Sequence, residues 1–313
     1  MKVLVTGGAG FIGSHIVDAL MARGDQVIVI DNLSTGNAAN LGPGIPLHRL
    51  DIRHAGTADL IRSEVPDAII HHAAQMSVSR SVARPVFDAE VNVLGTLNLL
   101  EAASQVGARF VFASTGGALY GEAEIRPTPE NSPTWPISPY GVSKLSCEHY
   151  LHAYRQQRGL SYAALRYANV FGPRQNPYGE AGVVAVFSHA LINGSAPTIN
   201  GDGLHTRDYV YVADVVRANL AALDSRACGH FNVGTGIETS VLELFAAIAL
   251  LTDNRVEPLH GPPRAGDLRH SALDCRLITS KFNWTPEFTL HEGLTHTVAS
   301  FQSMTRPMMA PTT

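Results

Sequence analysis

Residues 2–15, KVLVTGGAGFIGSH, decide the fold. Val3, Leu4 and Val5 form an apolar run with no alternation, the pattern of a strand buried on both faces. The glycines that follow satisfy G-x-G-x-x-G through Gly8, Gly10 and Gly13, and a wider repeat through Gly7, Gly10 and Gly13. A helical pattern, SHIVDALMARG, begins at once and stops at Gly24, a position suited to a helix C-terminus. In this arrangement a pyrophosphate can rest on the helix N-terminus, where free N–H groups and the helix dipole favour anions. A glycine-rich turn without a ligand can carry the same letters. The placement between strand and helix gives the motif its weight.

Working outward, QVIVID (26–31) reads as a second buried strand, and DAIIHHA (67–73), RFVFAS (109–114), SYAALRYAN (161–169) and HFNVGTG (230–236) as further ones. Between them lie helical patterns, among them residues 85–108 and 143–159. Strands alternating with helices predict an α/β fold, a doubly wound parallel (Rossmann) sheet. Residues 1–170 are expected to form the dinucleotide-binding domain, with some later segments returning to it. After about residue 170 Pro, Gly and Asn become frequent, and residues 171–305 are expected to form a smaller, interleaved substrate domain. Residues 306–313 read as a disordered tail.

The bulk of the chain narrows the function classes. The 313 residues carry a formal net charge of −4 and no dense Lys/Arg stripe, which argues against a nucleic-acid surface. VLELFAAIALL (241–251), the longest apolar stretch, is too short to span a bilayer, and the first glycines follow Met1 too closely for a signal peptide. Cys147, Cys228 and Cys275 lie far apart with no CxxC, which suits a reducing cytoplasm and gives no metal spacing. His71 and His72 end a strand without a ligand-spaced partner, so a structural role is expected and no metal site.

Asp31 ends the second strand, where an acid can grip the adenosine ribose hydroxyls, although it could also cap a helix or form a turn. The next basic residue is Arg49, so NAD is favoured over NADP. Asp51 can approach the adenine amino group or stand as a surface acid. Tyr140 and Lys144 follow Pro139 and are four apart, which puts both on one face of a helix. An ammonium beside the phenol, aided by a nicotinamide cation, is expected to draw the tyrosine pKa from about 10 toward neutrality, making a general base. FASTGGALYG (112–121) can set a hydroxyl, Ser114 or Thr115, beside that tyrosine to bond the reacting oxygen.

Together VTGGAGFIGSH, DNLSTG, HHAAQMSVSRSV, NVLGT, FASTGGALYGE, SPYGVSK, LRYANVFGPRQ, GDGLHTRDYVYVADV, FNVGTG and RAGDLRHS make the chain resemble the extended short-chain dehydrogenase/reductases, on their nucleotide-sugar 4-epimerase branch. The resemblance covers nearly the whole chain. It implies Thr115 rather than Ser114 as the active hydroxyl, counting from Phe112 across one extra glycine. It implies NAD contacts at Phe11, Ile12, Asp31, Asn32, Asp51, Ile52, Ala73, Ala74, Gln75, Asn92, Tyr140 and Lys144. Sugar-nucleotide contacts are implied at Asn169, Arg207, Arg264 and Asp267. A guanidinium fork suits a diphosphate, yet Arg207 and Arg264 could instead pair with Asp208 or Asp267. Asn169 could donate to the substrate or tie down a loop. Ser271, seven positions after Arg264, would leave room for an N-acetyl group. Asn200 stands where such epimerases carry an aromatic residue, leaving the base open between uracil and thymine.

The activity these readings imply is 4-epimerisation of a UDP-hexose, UDP-glucose/UDP-galactose and the N-acetylated pair, through a transient 4-keto sugar, in a homodimer. A nucleotide-sugar dehydrogenase or reductase with net redox change is the alternative, followed by a non-catalytic NAD sensor. A 4,6-dehydratase needs an acidic pair after the hydroxyl, where this chain has Gly116 and Gly117.

Overall fold

The computed structural model describes residues 1–178, 182–263 and 267–305. Arg264 and the tail at 306–313 lie outside the described residues. In chain order the strands are β1 (Lys2–Thr6), β2 (Gln26–Ile30), β3 (Leu47–His48), β4 (Ala68–His71), β5 (Arg109–Thr115), β6 (Tyr162–Tyr167), β7 (Asn169–Phe171), β8 (Thr198–Asn200), β9 (Thr206–Tyr211), β10 (Gly229–Val233), β11 (Glu238–Ser240) and β12 (Leu259–Gly261). The helices are α1 (Phe11–Ala22), α2 (Ala55–Glu64), α3 (Val78–Ala83), α4 (Pro85–Ala89), α5 (Gly95–Val106), α6 (Gly116–Leu119), α7 (Pro139–Arg158), α8 (Val183–Ile192), α9 (Val212–Asp224), α10 (Val241–Leu251), α11 (Arg276–Phe282) and α12 (Leu290–Thr305).

Seven strands form one parallel sheet in the order β10-β6-β5-β4-β1-β2-β3. Its two faces explain why the strands read as unbroken apolar runs. Val3 and Val5 of β1 pack on the side of Ile16, Val17 and Leu20 from α1, whereas Leu4 packs on the other side with Leu99, Leu100 and Phe110. Successive side chains point to opposite faces, so a sheet covered twice needs an apolar residue at every position. Each such large side chain contributes about 1.5–3 kcal/mol on burial.

The chain leaves β1 for β2 on one side and returns to β4 on the other, so the strand order reverses beside β1. Ligands of open α/β sheets bind in the crevice outside the carboxyl ends of the strands at that reversal. Later residues return to the sheet: β10 is its edge strand, beside β6. The remaining strands make two small sheets, β11-β9-β7 and β12-β8. A separate apolar cluster around Phe171, Phe187, Tyr211, Leu244 and Leu294 joins α8, α10 and α12 below them.

Two local readings are corrected. The stretch 161–169 is not one strand: β6 ends at Tyr167, the Ala168 N–H bonds Val233 O, and β7 continues in another sheet. The pattern at 85–108 is not one α-helix either. Between α4 and α5, residues Glu90–Leu94 form a π-helical turn, the wider winding that often marks functional positions.

Candidate active site

A cleft of about 220 Å³ opens at the reversal point and is walled by the β1–α1 turn, the ends of β2 and β4, and the start of α7. Gly7, Gly10, Phe11, Ile12 and Gly13 line its floor. Gly7 has φ +70°, and a Cβ on it would lie 2.6 Å from the Ala73 nitrogen; one on Gly13 would lie 2.2 Å from the Gly7 oxygen. Side chains at these two positions would push the turn off the strand ends, so there only backbone faces the cleft.

Asp31, Asn32, Asp51 and Ile52 line the far end. The buried Asp31 carboxylate accepts from Ala9 N at 3.0 Å and Leu33 N at 2.8 Å. It therefore does fix the turn, and its remaining lone pairs are left to face a ligand. Asp51 is bound by the Arg53 fork, Nε to Oδ1 at 2.9 Å and Nη2 to Oδ2 at 2.8 Å, which holds its carboxyl well below the usual range. Sequence reading passed over this arginine. It brings a cation near the Asp31 end of the cleft, yet one already matched by Asp51.

Ala73 and Ala74 line the cleft, but Gln75 and Asn92 do not. Their side chains turn away to Asp88, through Gln75 Nε2 at 2.8 Å and Asn92 Nδ2 at 3.0 Å. His72 and Met76 line the cleft instead. His71 is satisfied by Thr6 Oγ1 at 2.7 Å and Thr96 Oγ1 at 3.0 Å. His72 bonds the Tyr167 hydroxyl at 3.1 Å, and burial, with the Lys144 charge, pushes its pKa down to about 3.

α7 begins as its sequence dictates: Ser138 accepts from the Gly141 N–H, Pro139 occupies the first turn, and Gly159 ends the helix at φ +71°. Tyr140 and Lys144 share the face toward the cleft. Lys144 is 4% exposed; its Nζ donates to Ala113 O at 2.7 Å and lies 6.0 Å from the Tyr140 ring centre. Burial lowers the Lys144 pKa to about 8. Tyr140 departs from expectation. Its phenol is pushed above its ordinary value, first by burial and then by the charge of Asp88.

Ser114 and Thr115 end β5 side by side. Ser114 is buried and donates to Glu148 Oε1 at 2.6 Å, and Glu148 in turn pairs with Arg166 at 2.6 Å. That engages its hydroxyl, although Ser114 borders the cleft. The Thr115 hydroxyl makes no hydrogen bond within the described residues, and Thr115 itself lies outside the cleft lining. The Glu148–Arg166 pair had a signal in the sequence: an arginine inside the apolar strand ALRYA requires a buried acid.

The residues expected on the substrate side do not line this cleft. Asn169 opens β7 and faces Gly117, whose Cβ would lie 3.6 Å from Asn169 Oδ1. Arg207 is paired with Asp267, the ion pair offered as its alternative, and also donates to Thr206 O at 2.8 Å. Asp208 is buried and accepts from Thr235 Oγ1 at 2.6 Å and Gly236 N at 2.9 Å. Half-buried Ser271 sits between His270, bonded to Thr206 Oγ1 at 2.9 Å, and Ala272, whose carbonyl accepts from Thr128 N at 2.8 Å.

The glycine floor, the Asp31 carboxylate and the position at the strand reversal fit a dinucleotide. The family model described as "NAD dependent epimerase/dehydratase family" matches residues 3–234. The chain belongs to that family. A UDP-glucose 4-epimerase of Mycolicibacterium smegmatis is 47% identical over 310 residues, 97% of this chain and 99% of that one. Among solved structures, the UDP-glucose 4-epimerase of Thermotoga maritima with UDP-glucose superposes with a TM-score of 0.96 at 48% identity, covering 97% and 99% of the two chains. The UDP-glucose 4-epimerase of Thermus thermophilus in complex with NAD gives 0.91 at 47% identity, covering 96% and 99%. Among the described residues of this family member, no helix is long and apolar enough to cross a membrane and no His/Cys/Asp/Glu group could hold a metal ion.

Proposed function

We propose that this protein is an NAD-dependent 4-epimerase of a nucleotide sugar, UDP-glucose and UDP-galactose above all. The carrying observation is the Tyr140–Lys144 pair on one face of α7, turned into a dinucleotide-shaped cleft, with Thr115 ending the adjoining strand just outside its lining. NAD, when bound, supplies the hydride acceptor and donor for the sugar C4. Tyr140 Oη takes the proton of the 4-hydroxyl and returns it to the reduced product. The Lys144 ammonium, anchored on Ala113 O, favours the phenolate. Thr115 bonds the reacting oxygen through both stages. Asn169 and the Arg207 fork hold the nucleotide diphosphate, Arg207 by exchanging Asp267 for phosphate oxygens.

The dehydratase reading is disfavoured by more than the missing acids. A Cβ at Gly116 would lie 2.4 Å from Leu273 Cδ1, which leaves an acidic side chain no room without displacing Leu273. Ser271 supports acceptance of the N-acetylated sugars, because its small side chain leaves space beside the sugar 2-substituent. Val142 and Tyr150 on α7 and Leu94 ahead of α5 are apolar and exposed, which supports a homodimer paired through these helices. Three free cysteines suit the cytoplasm.

The test is to incubate the purified protein with UDP-galactose and with UDP-glucose and resolve the products. Both must run to the same mixture with no cofactor added. With NAD then supplied, accumulation of NADH in step with a keto or carboxylate product would replace the reading with the net-redox alternative.

A further inference from the structure

Asp88 on α4 is wholly buried, and all of its partners are neutral. Its Oδ1 accepts from Gln75 Nε2 at 2.8 Å and Asn92 Nδ2 at 3.0 Å, and its Oδ2 from Ser143 Oγ at 2.6 Å. The donors come from three places: the turn after β4, the π-helical turn, and α7 one turn beyond Tyr140. No Lys, Arg or His among the described residues forms an ion pair with it, unlike Glu148, which Arg166 neutralises. A buried carboxylate without a counter-ion is costly, and an amide of the same shape could make similar hydrogen bonds for less.

The surroundings indicate what the charge acts on. Lys144, Cys147 and Glu148 face this region from α7, and His71 and His72 from β4; burial lowers the pKa of both histidines, so they stand neutral near pH 7. Glu148 being matched by Arg166, Asp88 is the unmatched negative charge, and it raises the proton affinity of both Tyr140 and Lys144. We propose that Asp88 is a positioning residue that clamps the Tyr140 helix to the cofactor wall and sets an uncompensated carboxylate against the Tyr140–Lys144 face of α7. This rests on the reading of Tyr140 as the base.

The experiment is an ultraviolet difference titration of the NAD-loaded protein, each form measured against its own Tyr140→Phe counterpart to isolate that phenol. Asp88→Asn and Asp88→Ser remove the charge, and Asp88→Glu keeps it. The Tyr140 ionisation is expected to fall by about one pH unit in the two neutral variants and to stay in place in Asp88→Glu. NAD released on denaturation reports whether each variant keeps its cofactor. Sugar turnover is not part of this readout, so a wild type that fails to epimerise would remove the functional reading while the titration still decides the role of Asp88. A folded, NAD-retaining Asn or Ser variant that titrates with the wild type would overturn the proposal. So would failure of both neutral variants to fold, which would assign Asp88 to the fold alone.

Discussion

Ser114 and Thr115 are adjacent hydroxyls with opposite surroundings, one spent on Glu148 and one free. Ser114→Ala removes a donor from a buried carboxylate and is expected to cost about 1–3 kcal/mol of stability with little loss of turnover. Thr115→Ala should lower kcat more than Ser114→Ala with little change in stability, and Tyr140→Phe should lower it by roughly 10² or more. Steady-state rates beside urea unfolding curves separate the three, and a Ser114→Ala rate below that of Thr115→Ala would reverse the assignment. Asp31, placed against a 2′-phosphate, predicts that protein denatured after purification releases NAD; recovery of NADP would contradict it. Ser271→Tyr should abolish turnover of UDP-N-acetylglucosamine while sparing UDP-galactose, because a ring there would meet an acetamido group before a hydroxyl. Equal losses on both sugars would remove Ser271 from the pocket wall.

At the scale of the element, α7 carries the most. With the Lys144 pKa at about 8 against an ordinary 10.5, the unfolded chain holds a proton that the native one has shed across that window. This group therefore destabilises fully below about pH 8 and progressively less as pH rises toward 10.5. Activity should run the other way, falling above about pH 8 as the ammonium is lost; a rate profile flat from pH 7 to about 9.5 would contradict it. Glu148 of the same helix ties β5 to β6 through Ser114 and Arg166. Glu148→Gln should cost about 3–5 kcal/mol in urea unfolding by leaving Arg166 unpaired, and an unchanged midpoint would deny the pair that role. The long buried strands and α7 were legible because each is long, apolar or capped by its own residues. The π-helical turn was not: Glu90–Leu94 continues the same apolar helical spacing with no Gly or Pro to mark a change of winding. The Asn92 carbonyl there accepts side-chain bonds instead, from Thr96 Oγ1 four residues on at 2.6 Å and from Cys147 Sγ on α7 at 3.1 Å. Three-residue strands such as β8 and β12 are too short to show a period, and Gln75 and Asn92 could be placed off the cleft only once Asp88 was seen between them.

The whole molecule sets one parallel sheet, with its glycine turn and α7, against a set of short strands that carry Asn169 and Arg207 and a loop that carries Ser271. The candidate chemistry stands where the two meet, at the ends of β5 and β6. The glycine turn could be read residue by residue, because backbone geometry demands Gly7 and Gly13. The substrate half could not, since Arg207 holds Asp267 in a contact that spacing cannot distinguish from a diphosphate site. In the proposed reaction the hydride taken from C4 returns to C4 of the same sugar, so no net redox occurs. The direct measurement is conversion of UDP-galactose deuterated at C4, followed by mass and NMR analysis of the product. The expected product is UDP-glucose with the deuterium still at C4 and none passed to water. Loss of the label to solvent, or its appearance in released NADH, would contradict it.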